Sequence, residues 1–278
     1  MSSMLKLSAT ALLLSSVLSA NSSDAKVVDF LKKSFKQNPN IVKLNVTVAD
    51  KTSLQALKGW DAYIVKVDAT IKAQGQERAV AQKMIWFSNG EIITQDLVDM
   101  KTGESLKESV TPSFKESFYD KANLIYGNPN AKHKVAIFSD PLCPFCRTFV
   151  PKAIEDMKKD PKKFAIYYYH FPLASLHPAA VGLTKAAIAA EMQGRKNVVL
   201  DLYKVEIDAK ETNIEKILEA FNKTLGTKIT PADVANPEVE KHFNFALRVA
   251  DEMMVQGTPS MFFDGKADKS KTMYKKVQ

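Results

Sequence analysis

Cys143 and Cys146 are the only two cysteines among 278 residues, and Pro144 and Phe145 alone separate them. A bridge between them closes a loop too short to remove much unfolded-state entropy, so stabilisation is a poor reason for the pair. Redox exchange is the better reason, because two adjacent thiols can attack a disulfide and then resolve the product. A zinc site would need two further ligands. His133, His170, His177 and His242 show no ligand spacing, and a four-cysteine centre would need two copies of the pair across a dimer. The residues point to thiol chemistry with no metal and no cofactor.

The flanking segments are suited to presenting such a pair. Val135, Ala136, Ile137 and Phe138 form a short apolar run of the kind found in a buried strand. Beyond Pro141 and Leu142, residues 147–159 carry Phe149, Ala153, Ile154 and Met157 at helical spacing. Cys143 is then predicted at a helix N-terminus, where free backbone N–H groups and the macrodipole favour a thiolate. Pro144 suits the first turn because its missing N–H costs nothing there. Pro151 is predicted to kink the helix.

Strand, Cys-x-x-Cys, kinked helix and a later Gly257-Thr258-Pro259 before an apolar strand together resemble the thioredoxin superfamily. The run Phe138-Ser139-Asp140-Pro141-Leu142-Cys143-Pro144-Phe145-Cys146 resembles the periplasmic disulfide-exchange proteins of the DsbC/DsbG type, which carry an Asp three residues before the first cysteine. Ile137 stands where thioredoxin and the DsbA type place a buried acid. Tyr169-His170-Phe171-Pro172-Leu173, the following Leu176-His177-Pro178 and a long helical stretch before Thr258 resemble the DsbA-like branch instead. The resemblance implies a thiol–disulfide oxidoreductase acting on exported proteins, as isomerase, oxidase or both. Cys143 would be the nucleophile and Cys146 the resolving thiol. Thr258 and a cis Pro259 would face the pair and bind substrate backbone, and Pro144 and Phe145 would tune the redox poise. Asp140 would oppose the thiolate unless it caps the helix, and His170 and His177 would be structural. A dedicated oxidase recharged by a membrane partner, and a chaperone acting without redox chemistry, are the alternatives.

The rest of the chain reads as an α+β protein. Residues 24–37 carry a helical apolar stripe that Asn38-Pro39-Asn40 ends. Apolar residues alternate through 41–48 and 62–71, and residues 79–87 and 91–98 flank the hairpin signal Ser88-Asn89-Gly90. This gives a small helix-plus-antiparallel-sheet domain over 21–108, which resembles the dimerisation module of the DsbC/DsbG family. A connecting helix is predicted over 109–129, from Thr111-Pro112 and the pair Phe114 and Phe118. A thioredoxin-like catalytic domain is predicted over 130–278, with a helical insertion at about 174–256. Thirteen residues follow Gly265, enough for one strand and little more, so the terminal helix usual in thioredoxin folds is expected to be missing or cut short.

Residues 1–20 read as an export signal, with Lys6 ahead of an apolar stretch over 7–18 and a Ser19-Ala20 exit. That stretch is shorter than the twenty or so apolar residues of a spanning helix. A periplasmic homodimer is expected, meeting unfolded or misoxidised exported proteins and a membrane redox partner of DsbB-like or DsbD-like type. The net charge of +8 is spread in lysine pairs with no recognition motif beside them, so nucleic acid is not an expected partner.

Overall fold

Alternation with a period of two builds the first part of the chain. The computed structural model describes residues 17–73, 76–160 and 162–277. The expected export signal over 1–20 lies outside the described residues except for its last four. Helix α1 (Val17–Phe35) is followed by strands β1 (Ile41–Ser53), β2 (Asp61–Ala73), β3 (Gln76–Ser88) and β4 (Ile93–Thr94), paired antiparallel in that order. Tyr63 and Val65 on β2 share a face with Val46 on β1 and Trp86 on β3, and Val27 and Leu31 of α1 bury it. Lys51 ties helix to sheet through Asp24 at 3.2 Å and Asp61 at 3.3 Å. The opposite face buries Leu54, Ala62 and Phe87 under Leu97, Leu106 and Val110.

The strand expected over 91–98 shrinks to two residues. Asn89 Oδ1 accepts from the N–H groups of Glu91 and Ile92, and Asp99 Oδ1 from those of Lys101 and Thr102. These side chains offer the backbone turn partners in place of a ladder. Helix α2 (Lys107–Val110) follows, and the chain divides between Val110 and Thr111 into two compact units.

The helix expected over 109–129 is not formed. Beyond α2 that segment contains two 3-10 turns, Glu116–Phe118 and Lys121–Asn123, and then strand β5 (Leu124–Tyr126). It belongs to the second unit, so the predicted boundary near residue 130 is also corrected. Phe114 and Phe118 are buried against Phe138, Tyr169 and Phe262. The Phe114 N–H donates to the Gly265 carbonyl at 2.7 Å, the Tyr169 hydroxyl donates to the Phe118 carbonyl, and Asp120 accepts from the Ala122 N–H. Each buried phenyl contributes on the order of 2–3 kcal/mol, more than a short isolated helix offers.

The second sheet adds β6 (His133–Ser139), β7 (Phe164–His170), β8 (Ser260–Phe263) and β9 (Lys266–Ala267), in the order β5-β7-β6-β8-β9. β6 and β7 run parallel, joined by α3 (Pro144–Lys158), and β8 runs antiparallel to β6. One face buries Val135, Ile137, Ile166 and Tyr168 beneath Cys146, Val150 and Ile154 of α3. The other packs Ala136, Phe138 and Tyr167 against Ala246, Val249 and Met253. Between β7 and β8 lie α4 (Pro178–Met192), α5 (Val198–Leu202), α6 (Ile214–Leu225), α7 (Pro231–Val234) and α8 (Pro237–Glu252). This is the α+β architecture read from the sequence, helical insertion included. The last described element is α9 (Met273–Lys276), whose Tyr274 is buried.

Candidate functional site

The pair sits where β6 hands the chain to α3. Cys143 is the N-cap residue, with φ −69° and ψ 122°, and Pro144 occupies the first turn. The Cys143 carbonyl accepts from the Arg147 N–H at 3.0 Å. Arg147 in turn donates through Nε to the Pro141 carbonyl at 2.8 Å and through Nη2 to the Val205 carbonyl. One guanidinium therefore holds the loop before the pair against the segment after α5. α3 continues through Pro151 to Lys158.

Asp140 does not cap α3. Its side chain is fully buried, with Oδ1 accepting from the Leu142 N–H at 2.7 Å. Oδ2 accepts from the Leu173 N–H at 2.7 Å and lies 2.9 Å from His177 Nδ1. This carboxylate joins the cysteine loop, the segment after β7 and the N-cap of α4. His177 thus has a structural partner. His170, buried at the end of β7, is pushed down to about 3 by burial and stays neutral near pH 7.

Thr258 and Pro259 come to the pair from the other end of the unit. Their peptide bond is cis, and the Cys143 sulfur lies 3.6 Å from the Thr258 carbonyl oxygen. Cys143 is 5% exposed, Cys146 is fully buried, and Phe145 between them is 78% exposed. Burial pushes the Cys146 thiol up to about 11, against the Ser139 and Thr258 side chains and the Asp140 backbone, which favour the thiolate.

Behind Cys146 lies a group of side chains that sequence reasoning missed. Tyr203 donates to Ser139 Oγ at 2.6 Å, and the Tyr168 and Tyr203 hydroxyls are 2.8 Å apart, all three residues buried. Ser139 stands four residues before Cys143, and that closeness was the one signal available. Among the described residues no group of three or more His, Cys, Asp or Glu side chains is placed to hold a metal ion, and no helix is long and apolar enough to cross a membrane.

Fold and pair together define a thioredoxin-fold domain with a Cys-x-x-Cys centre at the head of its first crossover helix. A sequence profile of the thioredoxin family matches residues 120–278, more than half of the chain, and the chain belongs to that family. A curated relative, the Na(+)/H(+) antiporter NhaA 1 of Mycolicibacterium gilvum (strain PYR-GCK), is 26% identical over 144 residues. The match spans 51% of this chain but only 23% of that protein. Among solved structures, a thioredoxin-like oxidoreductase from Silicibacter pomeroyi DSS-3 is 25% identical with a TM-score of 0.43, covering 54% of this chain and 84% of that one. The thiol-disulfide exchange protein alpha-DsbA2 from Wolbachia pipientis is 19% identical with a TM-score of 0.49, covering 63% and 97%. Proteus mirabilis ScsC in a compact conformation is 19% identical with a TM-score of 0.44, covering 54% and 73%.

Proposed function

We propose that this chain is a periplasmic thiol–disulfide oxidoreductase that isomerises or introduces disulfides in exported proteins. The carrying observation is the placement of Cys143 at the N-cap of α3, its sulfur 3.6 Å from the Thr258 carbonyl, with Cys146 buried one turn inside. A Cys143 thiolate attacks a client disulfide, forming a mixed disulfide and releasing one client sulfur as thiolate. Cys146 then attacks Cys143, forming the Cys143–Cys146 bond and expelling the second client sulfur, which takes a proton. An isomerase lets a client thiol displace Cys143 first. An oxidase runs the sequence backwards from the bridged pair.

Thr258, ahead of Pro259, offers its backbone to an extended client segment, and Pro144 and Phe145 set the redox poise from between the sulfurs. The Phe145 ring carries no charge to stabilise a thiolate, which favours a milder couple than a charged residue would give. The export-signal pattern of residues 1–20 supports the periplasmic address. The N-terminal helix-plus-sheet unit makes the homodimer, and a membrane partner of DsbB-like or DsbD-like type resets the pair. Five helices inserted between β7 and β8 favour the dedicated oxidase as the second reading.

The test is recovery of activity by scrambled ribonuclease. Reduced protein is expected to restore it in catalytic amounts, and Cys143→Ser to abolish the effect. A protein that oxidises reduced ribonuclease yet leaves the scrambled form unchanged is the oxidase. Failure at both reactions refutes the assignment.

A further inference from the structure

Cys146 must shed a proton from a site that burial makes hostile to charge. The position six residues before Cys143 is Ile137, fully buried on β6 and paired across the sheet with Tyr168. It supplies no acid or base. Asp140 is close, but both its oxygens are engaged by Leu142, Leu173 and His177. Besides the Asp140 backbone, the polar groups that favour the Cys146 thiolate are the hydroxyls of Ser139 and Thr258, and of these Ser139 is held by further hydroxyls.

Their hydrogen-bond directions can be worked out. A tyrosine hydroxyl has one hydrogen to give, and Tyr203 gives it to Ser139 Oγ at 2.6 Å. In the 2.8 Å contact between Tyr203 and Tyr168, Tyr168 must then be the donor. With its oxygen accepting from Tyr203, Ser139 keeps its own hydrogen for the sulfur of Cys146, which is buried in one cluster with Tyr168 and Tyr203 and whose thiolate the Ser139 side chain favours. Burial holds both phenols well above their usual range, so neither hydrogen is lost at physiological pH. Three O–H dipoles therefore run head to tail from Tyr168 on β7, through Tyr203 beyond α5, to Ser139 at the end of β6.

We propose that Tyr168, Tyr203 and Ser139 form an aligned hydroxyl chain that donates to the Cys146 sulfur as it becomes a thiolate. The chain rests on Cys146 being the resolving thiol of the proposed exchange. Hydrogen bonds to an ionised acceptor are about twice as strong as neutral ones, and a chain polarises its members. The chain takes no net proton. The Cys146 proton ends on the expelled client sulfur while the new Cys143–Cys146 bond forms, so atoms and electrons balance without a further reagent. The groups that face Cys146 are Cys143 at the cap of its own helix, the Asp140 backbone and carboxylate from the preceding loop, the Thr258 hydroxyl ahead of Pro259, Ser139, Tyr168 and Tyr203. Ser139, Tyr203 and Tyr168 are positioning residues acting on that sulfur.

The test is the rate of Cys146 alkylation at a fixed pH between about 7 and 9, in full-length chain carrying Cys143→Ser. Below the thiol's midpoint that rate follows the thiolate fraction. Ser139→Ala is expected to slow labelling about tenfold, equal to one pKa unit, and Tyr203→Phe severalfold. Tyr203→Phe keeps the ring that fills the core, so it remains informative if Ser139→Ala fails to fold. Loosened packing would speed labelling by opening access, opposite in sign to the chain's effect. Unchanged or faster labelling in Tyr203→Phe overturns the proposal. Slowed labelling in variants of a protein whose Cys143 exchanges with no disulfide keeps the chain and removes the exchange reading instead.

Discussion

The two sulfurs of the pair occupy unlike surroundings one helical turn apart. Cys146 has no exposed surface, and burial pushes its thiol up to about 11. Near pH 7 Cys146 is therefore held as the neutral thiol. Cys143 keeps 5% exposure at the helix cap, where amide N–H groups lack helical partners. Brief alkylation of the reduced protein at neutral pH, followed by peptide mapping, is expected to place nearly all label on Cys143. Because the folded Cys146 thiol is raised, its labelling should climb about tenfold per pH unit toward that midpoint. Label found mainly on Cys146 at neutral pH would reverse the assignment of attacking and resolving thiols. Asp140 affects this balance indirectly: with its oxygens held by Leu142, Leu173 and His177, it fixes the loop that aims the cap.

At the scale of elements, the turn between β5 and β6 shows how the sheet constrains the chain. Gly127 has φ +86°, and a Cβ built on it would overlap the Phe164 carbonyl oxygen, a backbone atom of β7 with little room to yield. Gly127→Ala is expected to cost about 2–4 kcal/mol, from strain at positive φ together with the clash. Thermal melting should register this as a drop of several degrees, and a change within error would mean that β5 is not held against β7 as described. β6 was legible in the sequence as an unbroken apolar run, and α3 and most of the antiparallel sheet through their periods. Residues 111–126 were not. Phe114 and Phe118, four apart, imitate a helical stripe, but what buries them is a distant sheet, and the Phe114 N–H is taken by Gly265. The pair itself announced its chemistry through residue type and spacing. Its polar support did not, since Ser139 and Tyr203 are 64 residues apart and only the helical insertion brings them together.

At the scale of the whole molecule, each compact unit has its own core, and the whole redox site lies in the second. The division falls between Val110 and Thr111, so a fragment beginning near residue 130 would lose Phe114, Phe118 and β5 and should fold poorly. A chain beginning at Thr111 keeps the five-stranded sheet and all three of its hydrophobic clusters. Isomerisation requires a client to be held while its sulfurs are attacked, released and attacked again. Two copies joined through their N-terminal units would raise the effective concentration of thiol at a bound client, from the micromolar range of free protein toward roughly millimolar. A small disulfide needs one attack and gains nothing from this. The Thr111 fragment is therefore expected to sediment as a monomer and to reduce a small disulfide at close to the full-length rate. Its recovery of scrambled ribonuclease should fall by tenfold or more, because that effective concentration is lost. A fragment that stays dimeric would place the dimer contact in the second unit. A monomeric fragment that refolds the scrambled substrate as fast as the full chain would separate dimerisation from isomerisation. The dedicated oxidase would then be the better account of the helical insertion.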